Sequence, residues 1–159
     1  MKMMIVAAAL VLTSCAAPKK DIHSKVASYK VKAQNLVKMA QASESKSEMN
    51  KLSLELISSA KPIIAQFKVM HPKCTELLDT IVSDSAKMTK LSLGVIERDY
   101  HDGEALPKAP DNCYNAKELI VHPATVTILT SAKSLNSEGR EQIVDEMEEV
   151  IAHIDELLL

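Results

Sequence analysis

Three pairs of glutamate and histidine have the residue types and spacing that best suit metal chemistry in this chain. The pairs are Glu97 with His101, Glu118 with His122, and Glu149 with His153, each four residues apart. On an α-helix this spacing places a carboxylate and an imidazole on one face, so the pairs offer the nitrogen and oxygen ligands that zinc binds. The simpler account is that each pair stabilises its own helix, because the chain is rich in glutamate and lacks the Glu-x-x-His spacing of di-iron proteins. Metal binding is the alternative.

The segment 100–112 is predicted to be the one long loop, and acidic residues accompany its histidine. Such groups can bind a cation or move protons, although loops of this composition are more often only solvated connections. The loop exceeds the two to eight residues that usually join bundle helices, so we expect any function to concentrate there. The possible ligands for a metal or a small molecule are therefore His101, Asp102, Glu118, His122, Glu149 and His153.

The first fourteen residues have the parts of an export signal. Lys2 supplies a positive charge, and residues 3–12 form an apolar run that is too short to span a membrane as a helix. Residues 12–15, Leu-Thr-Ser-Cys, resemble the lipobox of bacterial lipoproteins. The resemblance implies that a signal peptide, residues 1–14, is removed and that Cys15 carries a diacylglyceryl group, often with a further acyl chain. A simple secretory signal is the alternative.

Residues 15–21 are predicted to form a short lipidated tether to the folded domain, residues 22–159. Two or three acyl chains are enough for stable membrane anchoring. The resemblance also implies that Ala16, which stands where an Asp would favour inner-membrane retention, directs the protein to the outer membrane if the source is Gram-negative. We therefore expect a protein of the cell envelope, facing the periplasm, with no cofactor other than the lipid on Cys15.

Two further cysteines, Cys74 and Cys113, meet oxidising conditions if the chain is exported. They could form a disulfide or remain two buried thiols, and we expect the disulfide. Helix 3 is predicted to continue about 38 Å beyond Cys74, so the bond requires residues 100–112 to return along the bundle. Helix 4 would then lie roughly parallel to helix 3.

The elements that must position these residues are amphipathic helices. Apolar residues recur at three- and four-residue steps, which is typical of helices packed in a bundle. We expect an all-α fold, an antiparallel four- to five-helix bundle with kinked helices and one long loop. The predicted helices cover residues 22–42, 49–70 with a kink at Pro62, 72–99, 113–135 with an interruption at His122-Pro123, and the residues from Ser137 onward.

Composition and charge exclude several classes of function. The chain has one Phe and no Trp, so stacking on nucleic-acid bases is not expected. It lacks a phosphate-binding glycine loop, a GxSxG elbow and an HExxH motif, so no enzyme activity is expected. Residues 19–73 contain eleven lysines and four acidic residues. From Glu76 onward the sequence contains seven basic and seventeen acidic residues. Packing of basic helices beside acidic ones is the expected reason, and a dipolar surface that orients the domain is the alternative.

The sequence as a whole therefore predicts a non-enzymatic envelope lipoprotein. Its helical bundle is expected to bind a partner protein or to scaffold an envelope complex, with the membrane engaged through the lipid. The alternative is a bundle in the periplasm that binds a small ligand, a metal or haem.

Overall fold

The computed structural model describes residues 19–157, with the side chains of residues 22–154 and of Leu157. Cys15 and the predicted signal peptide lie outside these residues, so the lipid anchor stays a prediction. Within them the regular secondary structure is entirely helical, which confirms the all-α prediction. In this part of the chain no helix is both long enough and apolar enough to cross a membrane.

The described residues form six α-helices and two short helices of other types. The α-helices are α1 (Lys19–Gln41), α2 (Lys46–Met70), α3 (Thr75–Met88), α4 (Leu93–Ile96), α5 (Asp111–Ser131) and α6 (Ser137–Glu156). A 3-10 helix at Pro72–Cys74 precedes α3, and a π-helix at Glu97–His101 follows α4. As predicted, one helix passes through Pro62. The first helix begins at Lys19, so it includes the last residues of the predicted tether.

Helix α5 lies at the centre of the bundle. It packs against α2, α3, α4 and α6, while α1 packs against α2 and α6. Residues 116–127 are all buried. A helix surrounded on every side carries apolar residues all round instead of one stripe, so its sequence shows little periodicity. The lysine-rich α1 packs along the glutamate-rich α6, in line with the internal packing of charge that the sequence favoured.

The predicted interruption at His122-Pro123 is wrong, because α5 passes through Pro123. Proline has no N–H, so Pro123 cannot donate to the carbonyl of Leu119 four residues earlier. The hydroxyl of Tyr29 on α1 donates to that carbonyl instead, at 2.8 Å, in the core. The buried hydroxyl groups of Thr125, Thr127 and Thr130 donate hydrogen bonds to backbone carbonyls of α5 itself. Continuation of the helix through the proline therefore leaves the carbonyl of Leu119 with a partner.

The predicted single helix over residues 72–99 is also wrong. α3 ends at Met88, and a turn leads to Ser92, whose extended backbone (ψ 156°) starts α4. The apolar residues before and after the turn follow one helical spacing, so the sequence pattern did not indicate that the helix ends at Met88. The helix then widens, because the π-helix makes hydrogen bonds between residues five apart, such as that from Asp102 N to Glu97 O at 2.8 Å. A π-turn of this kind is rare and occurs frequently at functional sites.

The disulfide between Cys74 and Cys113 is present, with Cα atoms 5.3 Å apart. It joins the start of α3 to the start of α5, and because these helices pack together they run in the same direction. The segment between them returns along α5, from Gly94 beside Thr125 to His101 beside Lys117. The disulfide and the parallel course of these two helices are therefore as predicted. The return differs from the prediction, because it already includes α4 and the π-helix and is not confined to residues 100–112.

Candidate metal centre

Three elements bring histidines from distant parts of the chain into one cluster. The π-helix carries His101, α5 carries His122, and α6 carries His153. The ring centroids of His101 and His122 are 5.3 Å apart in an edge-on arrangement. Those of His122 and His153 are 5.9 Å apart, and the rings are nearly parallel. The histidines of the three Glu–His pairs therefore meet in one cluster, in which Glu97 and Glu118 also contact the histidine of their own pair.

His122 is the most enclosed member of this cluster, with 1% of its surface exposed. Its Nδ1 atom lies 2.7 Å from a carboxylate oxygen of Glu146 on α6. Its Nε2 atom lies 3.7 Å from Glu118 and 3.8 Å from Glu149, beyond hydrogen-bond distance from both. Nε2 has no hydrogen-bond partner among the described residues. A buried polar atom without a hydrogen-bond partner lowers the stability of a fold by about 1–3 kcal/mol. The rest of the fold must offset this cost at His122 Nε2.

Other polar atoms in the same cluster are also buried and without a hydrogen-bond partner in the described part of the chain. They belong to His101 (Nδ1), Glu118 (Oε2) and His153 (Nδ1). Native proteins leave few buried polar groups unpaired, and a group of such atoms calls for an explanation such as a bound ion or water. Their concentration around His122 makes the cluster a candidate site.

The best candidate group of metal ligands consists of His101, His122 and Glu149. One ligand atom from each lies within 4.8 Å of the other two. In a tetrahedral zinc site with bonds of about 2.1 Å, ligand atoms are about 3.4 Å apart. Side-chain movements of roughly 1 Å would therefore close these three residues around an ion.

Asp102, also predicted as a ligand, lies outside this inner group. It belongs to a second, more exposed set with Glu97 and His101. Its Oδ1 atom is 4.0 Å from His101 Nδ1, and a Glu97 oxygen is 3.2 Å from the same nitrogen. Exposed acidic groups of this kind are common without an ion, so the group that contains the buried His122 is the stronger candidate.

Two members of the site were missed by the sequence analysis, and one is a buried lysine. Lys117 is 1% exposed, pairs with Glu118, and donates a hydrogen bond to the carbonyl oxygen of His101 at 2.7 Å. It thereby fastens the π-helix to α5. A lysine beside a glutamate within an otherwise apolar stretch was the signal that could have identified it.

The other missed member is Glu146. It occupies the turn of α6 before Glu149, so the two carboxylates approach opposite nitrogens of the His122 ring. Burial lowers the pKa of His122 to about 4, against the opposing effect of nearby carboxylates such as Glu118. Burial raises the pKa of Glu146 to about 7. His122 is therefore neutral at pH 7, which is the form that ligates metals.

A cleft of about 420 Å³ adjoins the cluster between α4, the π-helix, α5 and α6. Its wall includes the candidate ligands His101 and Glu149. The remaining lining residues are Leu93, Gly94, Glu97, Thr125, Gln142 and Glu146. The site is therefore buried on the side of His122 and adjoins a polar cleft on the side of Glu149.

This chain matches no protein-family model, no curated protein and no solved structure. No residue of the cluster therefore takes its role from a relative.

Proposed function

We propose that this chain is a lipid-anchored envelope protein whose helical bundle binds a divalent transition-metal ion through His101, His122 and Glu149. The observation that carries the proposal is His122 Nε2, which is buried, without a hydrogen-bond partner among the described residues, and faced by two carboxylates. We therefore propose metal binding as the main function, whereas the sequence alone favoured partner binding. Partner binding stays a prediction, supported by the charge distribution and the expected anchor.

The charges of the cluster favour a dication. Glu97, Glu146 and Glu149 line the cleft, and Glu118 lies behind them. Lys117 is the buried cation here, and it is already paired with Glu118. Neighbouring carboxylates repel one another unless protons or cations compensate them, and the repulsion is least screened at the largely buried Glu118 and Glu146. A divalent ion would supply that compensation and also give His122 Nε2 a partner.

The donor types narrow the choice of ion. Two imidazoles with a carboxylate suit zinc and the neighbouring ions cobalt, nickel and copper(II). Soft ions such as copper(I) prefer thiolates, and Cys74 and Cys113 are joined to each other. Glu146 would hold the Nδ1 proton of His122, as carboxylates commonly do behind a metal-bound histidine.

A titration of the mature domain with zinc tests this proposal. We expect one ion per chain, and His122→Ala should weaken binding by about 100-fold or more because it removes the central ligand. The matched control is His23→Ala, since His23 is an exposed histidine on α1. Binding that is equal in both variants would contradict the proposal.

The anchor is a separate part of the proposal and has its own test. Replacing Cys15 by Ser removes the thiol that the lipobox-like sequence would present for lipidation. We expect fatty-acid labelling and membrane association to be lost, with metal binding unchanged. Continued labelling of Cys15→Ser would show that the lipid is attached elsewhere.

A further inference from the structure

The cleft reaches the metal ligands themselves. His101 and Glu149 contribute both to the ligand group and to the wall of the cleft. An ion held by these residues would therefore be accessible from the cleft, while His122 would bind it from the buried side.

Three protein ligands leave such an ion incompletely coordinated. Transition-metal sites with three protein ligands keep a further position for water or another molecule. Glu118 lies 3.7 Å from His122 Nε2, but it is 6% exposed, pairs with Lys117 and is not among the residues that line the cleft. Glu97, whose carboxylate is 3.2 Å from His101 Nδ1, does line the cleft. The open position would consequently face the cleft.

The lining of the cleft favours a neutral molecule there. Glu97, Glu146 and Glu149 place carboxylates around it, which oppose the approach of an anion. Thr125 and Gln142 add neutral groups capable of hydrogen bonding. The volume of about 420 Å³ lies in the range that small molecules occupy in proteins.

We infer that the bound ion keeps an open coordination position that takes a neutral nitrogen donor, such as an imidazole or an amine, from the cleft. The inference rests on the proposed metal site and adds the class of ligand that the metal accepts.

Cobalt(II) substitution provides the test, since the visible spectrum of cobalt(II) reports its coordination. Imidazole added to the cobalt-loaded domain should change the spectrum saturably, with the metal still bound after gel filtration. Azide, a small anion, should bind about tenfold more weakly because the carboxylates oppose it.

Gly94 allows the cleft to be filled without altering a ligand. A Cβ atom added at Gly94 meets nothing within 4 Å. Gly94→Leu should therefore retain cobalt and weaken imidazole binding by about tenfold, whereas the control Gly94→Ala should change it little.

The outcomes separate this inference from the proposed function. Failure to bind cobalt or zinc would overturn both. Normal metal binding with a spectrum that imidazole does not change would overturn only the open position, and would indicate that a carboxylate such as Glu97 or Glu118 completes the coordination. Azide binding as tight as imidazole binding, or no effect of Gly94→Leu, would overturn the assignment of a neutral donor in this cleft.

Discussion

The Nδ1 atom of His122 lies 2.7 Å from a carboxylate oxygen of Glu146, so the opposite nitrogen, Nε2, faces Glu118 and Glu149. A carboxylate that accepts the Nδ1 proton fixes both the tautomer and the orientation of an imidazole. Helix α6 thereby supplies groups to both edges of one buried ring on α5. With the Nδ1 proton donated to Glu146, this contact would leave Nε2 available to a metal inside the bundle.

Glu146→Gln should weaken zinc binding by about 10- to 100-fold at a pH above 7, where Glu146 is ionised. The amide can still accept a hydrogen bond but does not carry the charge that raises the basicity of His122. A competition titration with a chromophoric chelator measures this change. Glu148→Gln is the matched control, since Glu148 is exposed on the same helix. Equal affinities in the two variants would show that Glu146 does not support the ligand.

Leu78 and Ile151 both belong to apolar stripes of the sequence, but they differ in burial. Leu78 is fully buried, whereas Ile151 is only partly buried against the core. Leu78→Ala should lower the free energy of unfolding by about 2–5 kcal/mol, and Ile151→Ala by clearly less. Urea denaturation followed by circular dichroism compares the two variants. A larger loss for Ile151→Ala would contradict the packing described for α6.

The disulfide closes a loop between residues separated by 39 positions in the sequence. Because the cross-link restricts the unfolded chain, the double variant Cys74→Ser/Cys113→Ser should lose about 2–4 kcal/mol of stability. Thermal and urea unfolding measure the loss, and mass spectrometry of the unreduced peptides verifies the bond in the wild type. Two free thiols in the unreduced wild type would be incompatible with the return path of residues 89–110.

Tyr29→Phe removes the donor that satisfies the carbonyl of Leu119, so it should cost about 1–3 kcal/mol at neutral pH. Burial raises the pKa of Tyr29 well above 10.0. The unfolded chain therefore releases this proton at lower pH than the folded protein does. The stability contributed by the neutral phenol is complete below about pH 10 and declines above it.

The difference in unfolding free energy between wild type and Tyr29→Phe should consequently narrow as the pH rises from about 9 to about 11. Tyr114→Phe, at a half-buried position, is the control. A difference that widens with pH would contradict the account of Tyr29.

The helices that present one face to the core were predictable from sequence. α1, α2 and α6 carry apolar stripes that match their burial, and α2 keeps its stripe across Pro62. α5 was harder because it is enclosed by neighbours, and its Pro123 is accommodated by Tyr29, almost a hundred positions earlier in the chain. Such a long-range partner leaves no local trace in the sequence.

The candidate site was predictable in its residues but not in its assembly. The spacing of glutamate and histidine identified His101, His122 and Glu149. The acidic composition of the loop added Asp102 with equal weight, although the structure places it on the exposed side of His101. Glu146 and Lys117 act across helix interfaces, so their contacts with His122 and His101 follow only from the packing of α5 against α6 and the π-helix.

Anomalous X-ray diffraction at the zinc edge, on crystals of the zinc-loaded mature domain, tests the metal site most directly. The account predicts one strong peak about 2.0–2.2 Å from His122 Nε2, with His101 and Glu149 also within bonding distance. A peak found only on exposed groups such as Glu97 and Asp102, or a fully occupied zinc ion without a bond to His122, would contradict it.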